Sequence, residues 1–173
     1  MQVRILISSE ELQAKVDELA GAIAADYEGI CPILVCVLKG AIFFMADLAR
    51  RLPFDLEMEF MAVSSYGHST DSSGVVRILK DLDTDIEGRH VLVVEDIIDS
   101  GLTLRYLTDN LNSRGPASLE VVTLLSKPSR RTAELDCRYT GFEIPHVFVV
   151  GYGLDYAEKY RNLPYIGVID GLE

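Results

Sequence analysis

The 173-residue sequence has few cysteines and no long apolar run. Cys31, Cys36 and Cys137 are odd in number and have neither a redox-pair nor a zinc-site spacing, which argues against a disulfide framework and predicts reduced thiols. The apolar runs are much shorter than the roughly 20 residues that cross a bilayer, and the first residues do not have the pattern of a signal peptide. We therefore expect a cytoplasmic protein with no membrane partner.

Positive charge is also scarce. The chain has 16 Lys and Arg against 27 Asp and Glu, for a net charge of -11. Extended nucleic-acid binding needs basic surface to neutralise phosphates, so a nucleic-acid partner is disfavoured. An acidic protein that handles a polyphosphate would recruit a divalent cation to neutralise it. Since no linker or internal repeat interrupts the chain, we expect residues 1–173 to form a single domain.

Helical and strand patterns alternate along the chain, which predicts an α/β fold with a mainly parallel central sheet flanked by helices. A capping box, Ser8-x-x-Glu11, opens the first helix. The polar and apolar alternation of residues 56–63 predicts a half-exposed strand at the sheet edge, joined to 75–79 as a hairpin with a long mobile tip. The other predicted helices are 41–52 and 102 to Gly115, and the other predicted strands are 33–38, 91–94, 119–125, 147–150 and 166–169.

The stretch from Val91 to Thr103 is the best candidate for the active centre. A buried strand runs into Glu95 and Asp96, and the segment from Ser100 to Thr103 then offers backbone N–H groups and hydroxyls at a helix N-terminus, which suits a phosphate. The two acids would repel that phosphate unless they face a sugar diol, a metal ion or both. The stretch thus predicts a ligand with phosphate, hydroxyls and Mg²⁺, although a capped helix beside two solvated acids is an alternative.

Polar residues follow two further predicted strands, at Lys39-Gly40 and at Lys127-Pro128-Ser129-Arg130-Arg131. Together with Glu95-Asp96-Ile97-Ile98-Asp99-Ser100-Gly101, these segments resemble the type I phosphoribosyltransferases. The Lys127 segment and Gly151-Tyr152-Gly153-Leu154-Asp155 are similar to the bacterial hypoxanthine-guanine branch of that family.

The resemblance implies transfer of 5-phosphoribosyl from phosphoribosyl pyrophosphate to N9 of hypoxanthine or guanine, giving IMP or GMP and pyrophosphate. It implies Mg²⁺ as cofactor and Asp99 as the catalytic residue, placed near purine N7 to accept a proton. The residues that it implies for the phosphoribosyl group are Glu95, Asp96, Ser100, Gly101, Leu102 and Thr103.

The resemblance assigns the other site residues by position. Lys39, Gly40 and Arg161 would bind pyrophosphate, Lys127, Phe148, Val149 and Asp155 would bind the purine, and Ser65 and Tyr66 would belong to a closing lid. Glu95, Asp96 and Asp155 would approach the metal, largely through water. It also implies a hood built from the N-terminal segment and about 127–173, a cis peptide between Leu38 and Lys39, and a homodimer or homotetramer.

Three alternatives stay open from the sequence. One is a related enzyme that prefers xanthine or a pyrimidine, although the Lys127 segment disfavours pyrimidines. The second is a regulatory protein of the same fold that senses phosphoribosyl pyrophosphate, and the third is a signalling domain whose Glu95 and Asp96 bind Mg²⁺.

Overall fold

The computed structural model describes residues 2–65 and 76–172. Most predicted elements are confirmed within a few residues, including the capping box at Ser8. The sequence interpretation missed two strands, at Val3–Ile7 and at Tyr139–Glu143. The helices are α1 (Ser9–Asp26), α2 (Ile42–Ala49) and α3 (Leu102–Asn112), with a short 3₁₀ helix at Pro128–Arg130. The strands are β1 (Val3–Ile7), β2 (Ile33–Leu38), β3 (Glu57–Ser65), β4 (Val76–Lys80), β5 (His90–Ile98), β6 (Ser118–Ser126), β7 (Tyr139–Glu143), β8 (Val149–Val150) and β9 (Ile166–Ile169).

A six-stranded sheet in the order β4-β3-β2-β5-β6-β7 forms the centre of the fold. Only the β3–β4 pair is antiparallel, so the predicted α/β class with a mainly parallel sheet is confirmed. The hairpin of β3 with β4 is also confirmed, whereas the predicted tip at 67–74 lies outside the described residues.

The prediction that β3 lies at the sheet edge is wrong, because β4 occupies that position. The expected alternation also fails at two positions, because Glu59 is buried and Met58 is exposed. Glu59 accepts a hydrogen bond from the backbone N–H of Asp83 at 3.5 Å, so the chain after β4 folds back over this face. Local polarity therefore mispredicts the burial of these two residues.

The two central strands, β2 and β5, are buried on both faces, as their continuous apolar runs predict. Leu34 and Cys36 of β2 pack in one core cluster with α1 and α2, whereas Ile33 and Val35 pack in a second cluster with α3. The helices thus cover opposite faces of the sheet, with α1 and α2 on one side and α3 on the other.

The strand order reverses between β2 and β5. From β2 the chain continues through α2 to β3 on one side, and from β5 it continues through α3 to β6 on the other. In open α/β sheets such a reversal leaves a crevice beyond the carboxyl ends of the two strands, where ligands bind. A ligand-binding site is therefore expected among the segments that follow β2 and β5.

A second, antiparallel sheet joins the two ends of the chain in the order β1-β9-β8. Val3 of β1 lies opposite Ile169, and Val149 of β8 lies opposite Val168. This sheet fixes the start of the Gly151–Asp155 segment. In the described ranges, none of the helices combines the length and apolar character needed to cross a membrane.

The packing of α3 predicts a large cost for truncating Leu107, which is fully buried. We expect Leu107→Ala to lower the free energy of unfolding by about 2–5 kcal/mol, since the substitution leaves a cavity in the core. Urea unfolding followed by circular dichroism measures this change. Leu79→Ala is the matched control because Leu79 is 60% exposed, and similar losses in the two variants would contradict the described packing.

Candidate active site

The crevice is closed at its base by a contact between the chain segments that follow β2 and end β5. Lys39 and Gly40 come directly after β2, and the Leu38–Lys39 peptide is cis, as the family resemblance implied. A Cβ atom added to Gly40 would lie 1.7 Å from Asp96 Oδ2, so only glycine allows this approach. The contact brings the predicted pyrophosphate and ribose residues together.

Glu95 and Asp96 lie within β5, which continues to Ile98 rather than ending at Val94 as predicted. Pairing with β6 as far as Ser126 extends the strand. Glu95 Oε1 accepts from the backbone N–H of Asp96 at 3.0 Å, and Asp96 Oδ1 accepts from that of Ile97 at 2.6 Å. The acids are therefore held in place by the strand.

Burial raises the pKa of Glu95 well above its ordinary value, and the neighbouring charge of Asp96 adds to the effect. Burial also raises the pKa of Asp96, against the opposing influence of its hydrogen bonds and of Arg161. A nearby cation would favour the ionised forms of both groups. In the described ranges no three His, Cys, Asp or Glu side chains form a metal cluster, so a cation here would take further ligands from water or substrate.

The turn from β5 into α3 contains the residues predicted to form a phosphate cradle. Gly101 is the N-cap residue of α3 with a φ of 86°, a left-handed conformation that favours glycine. Ser100 Oγ accepts a hydrogen bond from the backbone N–H of Leu102 at 3.3 Å. A cavity of about 120 Å³ lies here, with Asp99, Ser100, Gly101 and Thr103 on its wall. Since Gly101 caps the helix, Asp99 is free of the capping role.

Asp99 faces two cations from the segment after β6. Its Oδ2 atom is 3.6 Å from Lys127 Nζ, and its Oδ1 atom accepts a hydrogen bond from Arg130 Nε at 3.2 Å. The Lys127 side chain is only 8% exposed, and its backbone N–H donates to Ile98 O at 2.9 Å. The structure thus joins Asp99 and Lys127, which the sequence predicted as separate members of one site.

The segment from Gly151 to Arg161 covers the Lys39–Gly40 turn. A Cβ added to Gly153, whose φ is 104°, would lie 2.0 Å from Gly40 O. Arg161 Nη1 donates to Gly153 O at 2.7 Å, and Arg161 Nη2 lies 3.2 Å from Asp155 Oδ1. Arg161 and Asp155 therefore lie beside the same turn as Lys39.

Phe148 and Val149 are the outlying members of the predicted set. The Phe148 ring is 40% exposed and meets the Tyr156 ring edge to face, with centroids 5.7 Å apart. The Val149 side chain is buried beside Val168 in the second sheet. Of the predicted lid, Ser65 ends β3, and Tyr66 lies outside the described residues.

Sequence reasoning missed two charged residues of the site. Glu158 lies 3.0 Å from Lys39 Nζ and 3.3 Å from Arg161 Nη2. Arg130 lies in the Lys127 segment but had no predicted role, and it donates a hydrogen bond to Asp99. The three-residue spacing of Glu158 and Arg161 could have suggested one of these contacts, whereas nothing local links Glu158 to Lys39, which is 119 residues away.

Comparison with known proteins shows the family to which the chain belongs. Residues 7–157 match the family described as "Phosphoribosyl transferase domain". The hypoxanthine-guanine phosphoribosyltransferase of Bacillus subtilis (strain 168) is 57% identical over 166 residues, which cover 96% of this chain and 92% of the relative. That of Mycobacterium tuberculosis (strain ATCC 25618 / H37Rv) is 56% identical over 172 residues, covering 96% and 85%.

Solved structures are similar throughout the fold. A hypoxanthine phosphoribosyltransferase from Staphylococcus aureus has a TM-score of 0.93 and 48% identity, with 96% of this chain and 90% of that chain covered. A hypoxanthine-guanine phosphoribosyltransferase from Bacillus anthracis has a TM-score of 0.93 and 50% identity, covering 97% and 99%. The resemblance that the motifs carried is confirmed, and this chain belongs to the phosphoribosyltransferase family.

Proposed function

We propose that this protein is a purine-salvage enzyme that transfers 5-phosphoribosyl from phosphoribosyl pyrophosphate to N9 of hypoxanthine or guanine. The products are IMP or GMP and pyrophosphate. The observation that carries the proposal is the buried Lys127 ammonium facing Asp99 beside the cradle that opens α3. Relatives named hypoxanthine-guanine phosphoribosyltransferase, at 56% and 57% identity, support the same activity.

The phosphoribosyl group occupies the end of β5. The 5-phosphate binds the cradle formed by Ser100, Gly101, Leu102 and Thr103, where N–H groups and the helix dipole favour an anion. Glu95 and Asp96 face the ribose hydroxyls, which can donate hydrogen bonds to carboxylates. Support comes from the cavity of about 120 Å³, which is lined by the cradle and by Glu95.

The purine lies between Asp99 and the second sheet. As N9 bonds to the anomeric carbon and the bond to pyrophosphate breaks, the proton on N7 passes to Asp99 Oδ. Lys127 donates a hydrogen bond to the O6 atom of the base. The exposed part of the Phe148 side chain stacks on the purine ring, and Asp155 lies near the purine edge. Because the Val149 side chain is buried, its contact with the purine would come from its backbone.

Lys39, Gly40 and Arg161 hold the pyrophosphate. Mg²⁺ fits beside Glu95, Asp96 and Asp155, largely through water, and when bound it neutralises the phosphate oxygens of the leaving group. The raised pKa values of Glu95 and Asp96 support this assignment, since a cation would compensate their charge. An oxocarbenium-like transition state is expected, as in other glycosyl transfers.

Several wider features belong to the same proposal. The antiparallel sheet made from both chain ends supports a hood formed by the N-terminal segment and about 127–173 within a single domain, 1–173. The three free thiols suit a cytoplasmic enzyme. Ser65 and Tyr66 remain a predicted lid that would exclude water during transfer. Assembly as a homodimer or homotetramer, and the absence of a nucleic-acid partner, also remain predictions.

The direct test is nucleotide formation from phosphoribosyl pyrophosphate and Mg²⁺ with hypoxanthine, guanine, xanthine, adenine or uracil. We expect IMP and GMP, and we expect little product when the metal is chelated. Adenine presents a donor to Lys127 in place of an acceptor, so its kcat/KM should be lower by about 10⁴. Absence of product from every 6-oxopurine would contradict the proposal, and product from xanthine alone would favour the xanthine-preferring alternative.

The role of Asp99 predicts a selective loss of turnover in Asp99→Asn. This change keeps the shape of the side chain but removes the carboxylate, so we expect kcat to fall by about 10² or more, with a much smaller change in the KM for phosphoribosyl pyrophosphate. Asp109→Asn is the matched control, because Asp109 pairs with Arg105 on the exposed side of α3. Near wild-type kcat in a folded Asp99→Asn protein would remove Asp99 from the mechanism.

The Gly40 contact predicts that one methyl group disrupts the site. In Gly40→Ala the new Cβ would overlap Asp96 Oδ2, so the turn or the carboxylate must move. A displacement of about 1 Å in an active site can cost about 10²-fold, and we expect kcat/KM for phosphoribosyl pyrophosphate to fall by at least about tenfold. Gly21→Ala in α1 meets no atom within 4 Å and should retain activity. Equal activity of both variants would show that the turn tolerates a side chain.

A further inference from the structure

The two side chains proposed to hold pyrophosphate already share an anionic partner within the chain. Glu158 Oε2 accepts a hydrogen bond from Lys39 Nζ at 3.0 Å, and its two carboxylate oxygens lie 3.3 and 3.4 Å from Arg161 Nη2. One carboxylate thus bridges the cation that follows β2 and the cation at the end of the covering segment. A pyrophosphate bound to both cations would need the same donors.

Core stability does not explain this bridge. The side chains of Lys39 and Glu158 are 68% and 66% exposed, and exposed ion pairs contribute little to folding. The Glu158 backbone is nevertheless held in place: it has a φ of 65°, and its N–H donates to Asp155 Oδ2 at 2.8 Å. The local chain therefore directs this carboxylate toward the two cations.

The charges around Glu158 keep it in the form that competes with a phosphate. The hydrogen bond from Lys39 and the charge of Arg161 lower the pKa of Glu158, so it is ionised at neutral pH. Asp155 also pairs with Arg161, at 3.2 Å, but it does not reach Lys39 among its described contacts. A surface cavity of about 610 Å³ adjoins Lys39, Glu158 and Arg161, which gives the Glu158 side chain room to move away.

We propose that Glu158 is a built-in competitor for the pyrophosphate site, bound to Lys39 and Arg161 in the free protein and displaced by phosphoribosyl pyrophosphate or pyrophosphate. This inference rests on the proposed function. A ligand that must replace an existing partner binds with lower apparent affinity than its own contacts would give. The return of Glu158 to the two cations would correspondingly favour departure of the product pyrophosphate.

The test is Glu158→Gln, which keeps the size of the side chain and removes its charge. We expect the Kd for magnesium pyrophosphate, measured by calorimetry without a purine, and the KM for phosphoribosyl pyrophosphate to fall by about threefold to tenfold. The KM for hypoxanthine should stay unchanged. The difference from wild type should shrink at about 0.5 M salt, where charge interactions are screened.

Two further variants sharpen the comparison. Glu18→Gln is the matched control, because Glu18 also forms a 3.0 Å pair with a lysine and is 70% exposed, but it lies on α1. It should bind pyrophosphate like wild type. Glu158→Asp keeps the charge on a shorter side chain and should bind pyrophosphate with an affinity between those of wild type and Glu158→Gln.

The sign of the change separates competition from support. If Glu158 only held the covering segment in shape, Glu158→Gln would bind magnesium pyrophosphate more weakly, and weaker or unchanged binding would overturn the inference. If the Glu158→Gln variant gave that result while the wild-type protein made IMP, the proposed function would remain intact. Failure of the wild type and of Glu18→Gln to form any nucleotide would instead reject the proposed function.

Discussion

The site depends on the close packing of three chain segments around Gly40. Its Cα faces the Asp96 carboxylate of β5, and its carbonyl oxygen meets Gly153 of the covering segment. A side chain at position 40 or 153 would separate these segments. Lys39 directly precedes Gly40, and the carbonyl oxygen of Gly153 accepts a hydrogen bond from Arg161. The contact between the two glycines therefore sets the positions of both proposed pyrophosphate ligands.

Charge is distributed unevenly across this packed centre, and the distribution suits a ligand that brings its own cation. Of the acids on β5, Glu95 is buried and Asp96 is half-buried, and their raised pKa values mean that the folded protein opposes their ionisation. The basic side chains are paired with carboxylates: the exposed Lys39 with Glu158, and the buried Lys127 with Asp99. On the proposed roles, the cation of a metal-bound polyphosphate would compensate the acids, while its oxygens would replace Glu158 as the partner of Lys39. A chain of net charge -11 can thereby bind an anionic substrate.

How much of this the sequence predicts depends on whether the information is local. The apolar runs of β2 and β5, the capping box at Ser8 and the start of α3 after Asp99 each follow from neighbouring residues, and the structure agrees with them. The environment of β3 does not follow from neighbouring residues. Its residue Glu59 is buried because a later chain segment folds over it. The strands β1 and β7 were missed, and so was the bridge between Lys39 and Glu158, which joins residues 119 apart in sequence. The family resemblance assigned roles to residues that are far apart in sequence, which periodicity cannot do, but only at positions within known motifs.

On the proposed roles, the pair formed by Asp99 and Lys127 would link recognition of the base to its activation. The Lys127 ammonium lies 3.6 Å from the Asp99 carboxylate, and it is too buried to be well solvated without a partner. On the proposed roles, a 6-oxopurine offers its O6 atom to Lys127 and its N7 proton to Asp99, so each group exchanges its present partner for one on the base. Adenine has no acceptor at that position, and its amino group would leave the buried ammonium opposite another donor, which is costly. Discrimination against adenine and the release of Asp99 for proton transfer would therefore arise from the same exchange, with Arg130 still able to pair with the carboxylate from its other side.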